Sequence, residues 1–463
     1  MRLSRLVPAR ITAPLLAVAL AACATNPVTG KRELVLISEQ QEIQMGQESA
    51  AQVAQSIGLV QDQALQDYVQ RVGLSLARVS QRPNLPWQFR VVDDPTPNAF
   101  ALPGGFIFVT RGLMSMMTNE AELATVVGHE IGHVTARHSV RAMTRSELAQ
   151  VGLVVGSVIS PTVARYGQLA SSGMQLLLLK YDRAAEAQAD ELGFGYALAD
   201  HYDVRRMADV FTTLQRVSAK EGQSPLPSWL ETHPSEPDRI AKVNQRVAAL
   251  SDTALRNALV RRPEYMRQVD SLVYGVNPRS GFFQGTHFIH PDLRFQITFP
   301  EGWQTQNTAQ TVAAASPQKD AVMELSLADS GSADQAYRAL AGAQGVTVSS
   351  SGSQSIGGQR AVSAIFQAQT DQGLLDGVAA FIDYGGHTYR VLGYTPAQAF
   401  GQYRGALERA ATSFAPLTDP TLLSVQPRRL RVVTTDRAMT LAEFNTRYPS
   451  TVSLDDLAII NEV

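Results

Sequence analysis

An excess of charge of either sign is missing from this chain: 40 basic residues stand against 42 acidic ones, for a net charge of −2. That balance gives no footprint for polyanion binding and removes nucleic acid from the expected partners. Cysteine occurs once, at Cys23, so no other thiol is available for acylation. Apolar runs long enough to cross a bilayer are also absent. Ile11 to Leu20 is too short, and so is Val151 to Ile159. What is present is an ordinary globular composition, 44% hydrophobic and 18% charged. At 463 residues such a chain buries normal cores and should divide into two or three domains.

The N-terminus reads as a targeting segment. Arg2, Arg5 and Arg10 form a basic region, Ile11 to Leu20 an apolar stretch, and small residues follow. The next residues, Leu20-Ala21-Ala22-Cys23, resemble a lipoprotein box, so residues 1–22 are expected to be a signal peptide and Cys23 the lipidation site. Several acyl chains on one residue would anchor the protein stably at a membrane. Ala24 is not the aspartate of an inner-membrane retention signal. A periplasmic location as an outer-membrane lipoprotein of a Gram-negative bacterium, on either leaflet, is therefore expected.

Residues 23–37 read as a tether, with a capping box at Ser38 and Gln41 opening the first helix. From Trp87 the pattern turns strand-like. Phe100-Ala101-Leu102 and Phe106-Ile107-Phe108-Val109 flank Pro103-Gly104-Gly105, which predicts a hairpin. Helices return from Asn119 to about Tyr274. Val151 to Ile159 and Leu176 to Leu179 are apolar on all sides, as in a buried helical hairpin or a lid facing membrane or substrate. A boundary falls near Asn277. Alternation at Leu293, Phe295, Ile297 and Phe299, a hairpin around Gly385-Gly386, and helices near Ala333 to Leu340 and Ala399 to Ser413 predict a second, smaller α+β domain. Two short helices are expected in the tail from Leu430. The fold class is thus α+β multidomain: a mainly helical domain over 38–275 with a small sheet at its edge, an α+β domain over 285–415, and a tail over 428–463.

Chemistry concentrates in His129-Glu130-Ile131-Gly132-His133. Residues four apart on an α-helix are separated by about 40°, so both imidazoles project toward one point, as tetrahedral zinc requires. Glu130 stands one position on, where it can take a proton from the attacking water. Asn119 is placed to cap this helix, with Glu122 at its third position. A catalytic zinc needs a third protein ligand. The metzincin pattern would put glycine and histidine at 136 and 139, but Ala136 and Ser139 exclude it. His138 falls opposite His129 on a continuing helix and reads as a solvated helix-end histidine. Glu186 is the best third ligand, because Asp190 follows on the same helical face and can orient a ligating histidine, with Arg183 beside them; Glu147 is the rival.

These residues, in Arg-x-x-Glu-x-x-Ala-Asp, resemble the gluzincin metallopeptidases that include the HtpX protease and the CaaX prenyl protease, most closely the periplasmic BepA-like branch. Asn26-Pro27-Val28-Thr29-Gly30, Asn98 to Gly105, and Thr232-His233-Pro234 with Asp238-Arg239-Ile240 extend the likeness over residues 26 to about 250. The resemblance implies one zinc per chain, a substrate edge at Asn98, Ala99 and Phe100, and a loop carrying His233 over the cleft. There His233 would either plug the metal site or stabilise an oxyanion. No period of about 34 residues appears, so the helical repeats of that branch are not expected. Residues 285–415 weakly resemble a PsbP-like fold, and the tail resembles the start of a LysM-like module, for which a peptidoglycan or protein partner is expected. The implied activity is hydrolysis of misfolded or stalled envelope polypeptides. The rival is a lipoprotein chaperone or assembly scaffold with a latent metal site.

Overall fold

The computed structural model describes residues 23–152, 181–218, 229–233, 238–251, 253–370 and 373–463. They fall into two units: Met1–Ala54, Gly58–Leu272 and Leu430–Val463 form the first, and Gln55–Ile57 with Val273–Arg429 the second. The expected signal peptide, most of the apolar stretch from Val151 and all of Leu176 to Leu179 lie outside the described residues.

In the first unit the chain does not leave Cys23 as a tether. β1 (Cys23–Thr25) pairs antiparallel with β2 (Arg32–Leu34). The Asn26 side chain makes the reversal, because its Oδ1 accepts from the Val28 and Thr29 amides while its Nδ2 donates to Glu33. Ser38 and Gln41 cap α1 (Glu39–Ser56) as expected. α2 (Gln63–Arg78) is capped by Asp62 and buries Leu65, Val69, Val72 and Leu76, an apolar stripe at helical spacing.

A three-stranded sheet follows, with β5 (Phe106–Thr110) central, β3 (Gln88–Val92) parallel to it and β4 (Ala99–Leu102) antiparallel at the edge. The predicted hairpin is therefore present, in register Leu102 to Phe106. Its turn is tied to the helix that follows through a buried carboxylate: Glu42 accepts from Arg82, Arg137 and the Gly104 amide, and Arg82 also donates to the Val134 carbonyl.

α3 (Glu120–Thr135) carries the histidine motif and is capped by Asn119, whose side chain accepts from the Glu122 amide. α4 (His138–Gly152) follows it. Every residue of α3 is buried, and small residues let a second helix, α5 (Arg183–Ala199), approach it closely. A Cβ at Gly193 would lie 2.6 Å from the His129 backbone nitrogen, and one at Gly132 3.1 Å from Ala189. α6 (Arg206–Ser218), α7 (Arg239–Ala248) and α8 (Arg262–Val269) complete the helical body. The tail does not stand as a separate module. Leu430 exchanges backbone hydrogen bonds with Ser271 and Leu272, and Glu462, beyond helices Leu441–Arg447 and Leu454–Asn461, accepts from Thr118.

The second unit contains a seven-stranded antiparallel sheet of order β12-β13-β14-β15-β11-β10-β9, running from β9 (Gln304–Asn307) through β10 (Thr311–Ala315), β11 (Val322–Leu327), β12 (Val346–Ile356), β13 (Gln359–Thr370), β14 (Gly373–Tyr384) and β15 (His387–Pro396). A smaller sheet holds β6 (Phe282–Gln284), β7 (His287–His290) and β8 (Phe295–Thr298), with Ala415–Pro416 at its edge. The helices Ala333–Ala341 and Phe400–Ala411 lie where the periodicity predicts. Gly385 and Gly386 have φ of 59° and 81°, the left-handed pair that a two-residue hairpin demands.

His290 in β7 makes this unit acid-sensitive. Burial lowers its pKa from 6.5 to about 4, against the weaker opposing pull of Asp292, and its Nδ1 accepts from the Leu293 amide. The unfolded chain binds a proton near pH 6.5 while the folded unit does not until about pH 4. Stability is therefore full above pH 6.5 and is lost as pH falls toward 4, by at most about 3 kcal/mol. Amide-exchange protection of β7 and β8 should fall between pH 7 and pH 5, and this fall should shrink in His290→Asn. An unchanged pH dependence in that variant contradicts the assignment.

Candidate metal centre

His129 and His133 stand one turn apart on α3, with their Nε2 atoms 3.0 Å from each other. Close packing of α3 and α5 brings Glu186, in the first turn of α5, to 3.6 Å from His129 Nε2 and 3.5 Å from His133 Nε2. A helical turn, Trp229–Thr232, delivers His233 from another direction. The Trp229 amide donates to the Pro97 carbonyl, and the indole stacks on the His233 ring at 4.1 Å. One ligand atom from each of His129, His133, Glu186 and His233 lies within 4.8 Å of the others, and all four residues are buried.

Whether these residues suit a cation is decided by what they lack. Among the described residues, no partner completes a hydrogen bond with either oxygen of Glu186 or with His233 Nε2, although all three atoms are buried. A buried carboxylate without donors costs several kcal/mol unless it meets positive charge. Burial accordingly pushes the Glu186 pKa up to about 8, and it lowers those of His129, His133 and His233, the last two well below their ordinary value. Neutral imidazoles and a buried carboxylate form a donor set that fits zinc.

Asp190 lies one turn beyond Glu186 and holds His129 from behind. Its Oδ1 is 3.0 Å from His129 Nδ1, which leaves His129 Nε2 facing Glu186. Burial raises the Asp190 pKa, but hydrogen bonds from His129 and Arg239 outweigh it and bring the group down to about 2. Glu130 projects beside the cluster, with Oε1 3.5 Å from His233 Nε2. Burial, then repulsion from Glu186, holds its carboxyl well above the usual range, opposed by Arg239 and the backbone amide of Ala101 on β4.

Two expectations are corrected. Arg183 is exposed at the start of α5, and the guanidinium bound to Asp190 belongs to Arg239, through contacts of 2.9 and 2.6 Å. The sequence offered Arg239 only as part of a motif. His138 is not solvated. It is 3% exposed, with Nδ1 2.9 Å from His133 Nδ1. The reason is Arg137, whose φ of 56° breaks the helix, so residue 138 turns back instead of continuing round α3. Tyr181, which sequence reasoning passed over, stacks on His133 at 4.0 Å and hydrogen-bonds Ser139. Asn98, Ala99 and Phe100 are buried at and before the start of the edge strand β4, and Phe100 stacks on Phe108. Glu147 lies in α4.

Residues 63–247 match the family model Peptidase family M48. The chain is 33% identical over 229 residues to the mitochondrial metalloendopeptidase OMA1 of Schizosaccharomyces pombe, covering 47% of this chain and 65% of that one. It is 30% identical over 229 residues to the beta-barrel assembly-enhancing protease of Yersinia pestis, covering 48% and 46%. The protein of the same description in Escherichia coli is 29% identical over 233 residues, covering 48% and 47%. The chain thus spans between about half and just under two thirds of these relatives' lengths. The solution structure of cyanobacterial PsbP from Synechocystis sp. PCC 6803 covers 29% of this chain and 94% of its own at 12% identity. Its TM-score of 0.24 is too low to define a shared fold. Over residues 63–247, within which the histidine pair, Glu130 and Glu186 come together, the chain is thus similar to Peptidase family M48.

Proposed function

We propose that this protein is a zinc-dependent endopeptidase of the cell envelope that hydrolyses misfolded or stalled envelope proteins. The observation that carries the reading is the buried cluster of His129, His133 and Glu186, whose carboxylate has no hydrogen-bond donor among the described residues. Zinc held there supplies Lewis acidity, which polarises a scissile carbonyl and acidifies water. Glu130 accepts the proton of the attacking water at a carboxylate oxygen and then passes it to the leaving amine nitrogen. Asp190, clamped by Arg239, keeps His129 oriented. β4, an edge strand whose Ala101 amide lies near Glu130, suits a substrate that adds as a further strand. Cleavage of an unfolded protein such as casein, lost with a chelator and restored by zinc, is the test. Equal cleavage with and without chelator contradicts the proposal.

Envelope location rests on the expected lipidation of Cys23 at the outer membrane and on the relatives named as beta-barrel assembly-enhancing proteases. No described helix is long and apolar enough to cross a membrane. The tail's LysM-like resemblance leaves a peptidoglycan or protein partner as part of the same proposal.

His233 is assigned as a plug. Its Nδ1 pairs with Thr232 Oγ1 at 2.9 Å, while Nε2 makes no hydrogen bond among the described residues and lies among the metal-ligand atoms, 3.5 Å from Glu130 Oε1. A neutral imidazole there fills the position that substrate and water need. His233→Ala should raise basal casein cleavage several-fold. A fall on the order of a hundredfold instead assigns the ring to the oxyanion.

A further inference from the structure

His133 Nδ1 lies 2.9 Å from His138 Nδ1, and His138 Nε2 lies 3.0 Å from the Gln188 side-chain oxygen. An amide oxygen only accepts, so His138 Nε2 carries the hydrogen of that contact. In a neutral imidazole the other nitrogen is then a lone pair, and His138 Nδ1 must accept from His133 Nδ1. His133 Nε2 is left without a hydrogen, 3.5 Å from Glu186 and 3.0 Å from His129 Nε2, which the Asp190 contact at Nδ1 likewise leaves without one, so two lone pairs face each other as they would about a cation. One amide at position 188 therefore sets the tautomers of two rings in series.

The arrangement is built, not incidental. Arg137 takes its left-handed conformation with Nε on Glu42 and Nη2 on the Ile37 carbonyl, and this break places His138 behind His133. Gln188 comes from α5, two residues after Glu186 and two before Asp190. The two α3 histidines are thus supported differently: His129 by a carboxylate, His133 by a neutral imidazole and an amide.

We propose that His138 and Gln188 are positioning residues that fix His133 as the Nδ1–H tautomer, so that its Nε2 is preformed as a metal ligand. The inference rests on the metal-centre reading above, but its test does not depend on activity. In full-length protein labelled with 15N-histidine and freed of metal, His133 should show the Nδ1–H tautomer. Gln188→Leu and His138→Phe should mix or invert it and weaken zinc binding, measured by chelator competition, by about 10- to 100-fold. His138→Gln, whose amide can accept from His133 and donate onward, should restore both. A purely packing role predicts that phenylalanine serves as well as glutamine.

An Nε2–H tautomer of His133 in the wild-type protein overturns the proposal without any variant. So does unchanged zinc affinity in a folded Gln188→Leu. Wild-type protein that shows the expected tautomer but binds no zinc would overturn the metal-centre reading and leave the tautomer relay standing.

Discussion

Glu130→Gln is expected to abolish proteolysis while leaving the fold and the metal in place. Glu130 is fully buried, and its carboxylate lies beside His233 and the Ala101 amide, next to the ligand atoms and not among them. Glutamine has the same shape but cannot take a proton at neutral pH. The loss should be on the order of a hundred- to ten-thousandfold in turnover. Because burial and Glu186 both oppose a charge at this position, which glutamine cannot carry, the metal-free variant should melt no lower than wild type. Casein cleavage, elemental zinc and a melting curve on one preparation decide the matter. Cleavage within tenfold of wild type places the general base elsewhere. Survival of cellular function in a cleavage-dead variant favours the scaffold reading.

Glu186→Ala should lose zinc. In the cluster Glu186 is the single carboxylate within reach of both α3 histidines, at 3.5 and 3.6 Å. Its removal leaves three neutral imidazoles, of which His233 is presented by a separate turn near the Pro97 carbonyl. Zinc affinity should fall by more than about a hundredfold, beyond the effect of removing an outer hydrogen bond. Chelator competition measures it. Stoichiometric, tightly held zinc in the variant would promote His233 to a permanent ligand or return attention to Glu147.

What could be read from the sequence was what depends on neighbours along the chain. The Asn119 cap, the spacing of His129 and His133, the face shared by Glu186 and Asp190, and the hairpin around Gly104 each follow from helical or strand periodicity within a few residues. What could not be read depends on breaks and on distant partners. Continuing a helix through Arg137 puts His138 opposite His129, whereas a single left-handed residue, held by Glu42 from α1, turns it to the side of His133. Arg239 reaches Asp190 across 49 positions, whereas Arg183, near in sequence, does not. Trp229 and Tyr181 pack on the histidine rings from segments with no periodic signal. The tail gives two legible helices, but its attachment to the first unit runs through Leu430 and Glu462, which carry no pattern of their own.

Diffraction from zinc-loaded crystals of the full-length protein at the zinc absorption edge tests the metal centre most directly. The account predicts one anomalous peak per chain, at about 2.0–2.2 Å from His129 Nε2, His133 Nε2 and a Glu186 oxygen, with Glu130 beside it and not bonded to it. A peak at other residues, or none in protein that cleaves casein, would contradict it.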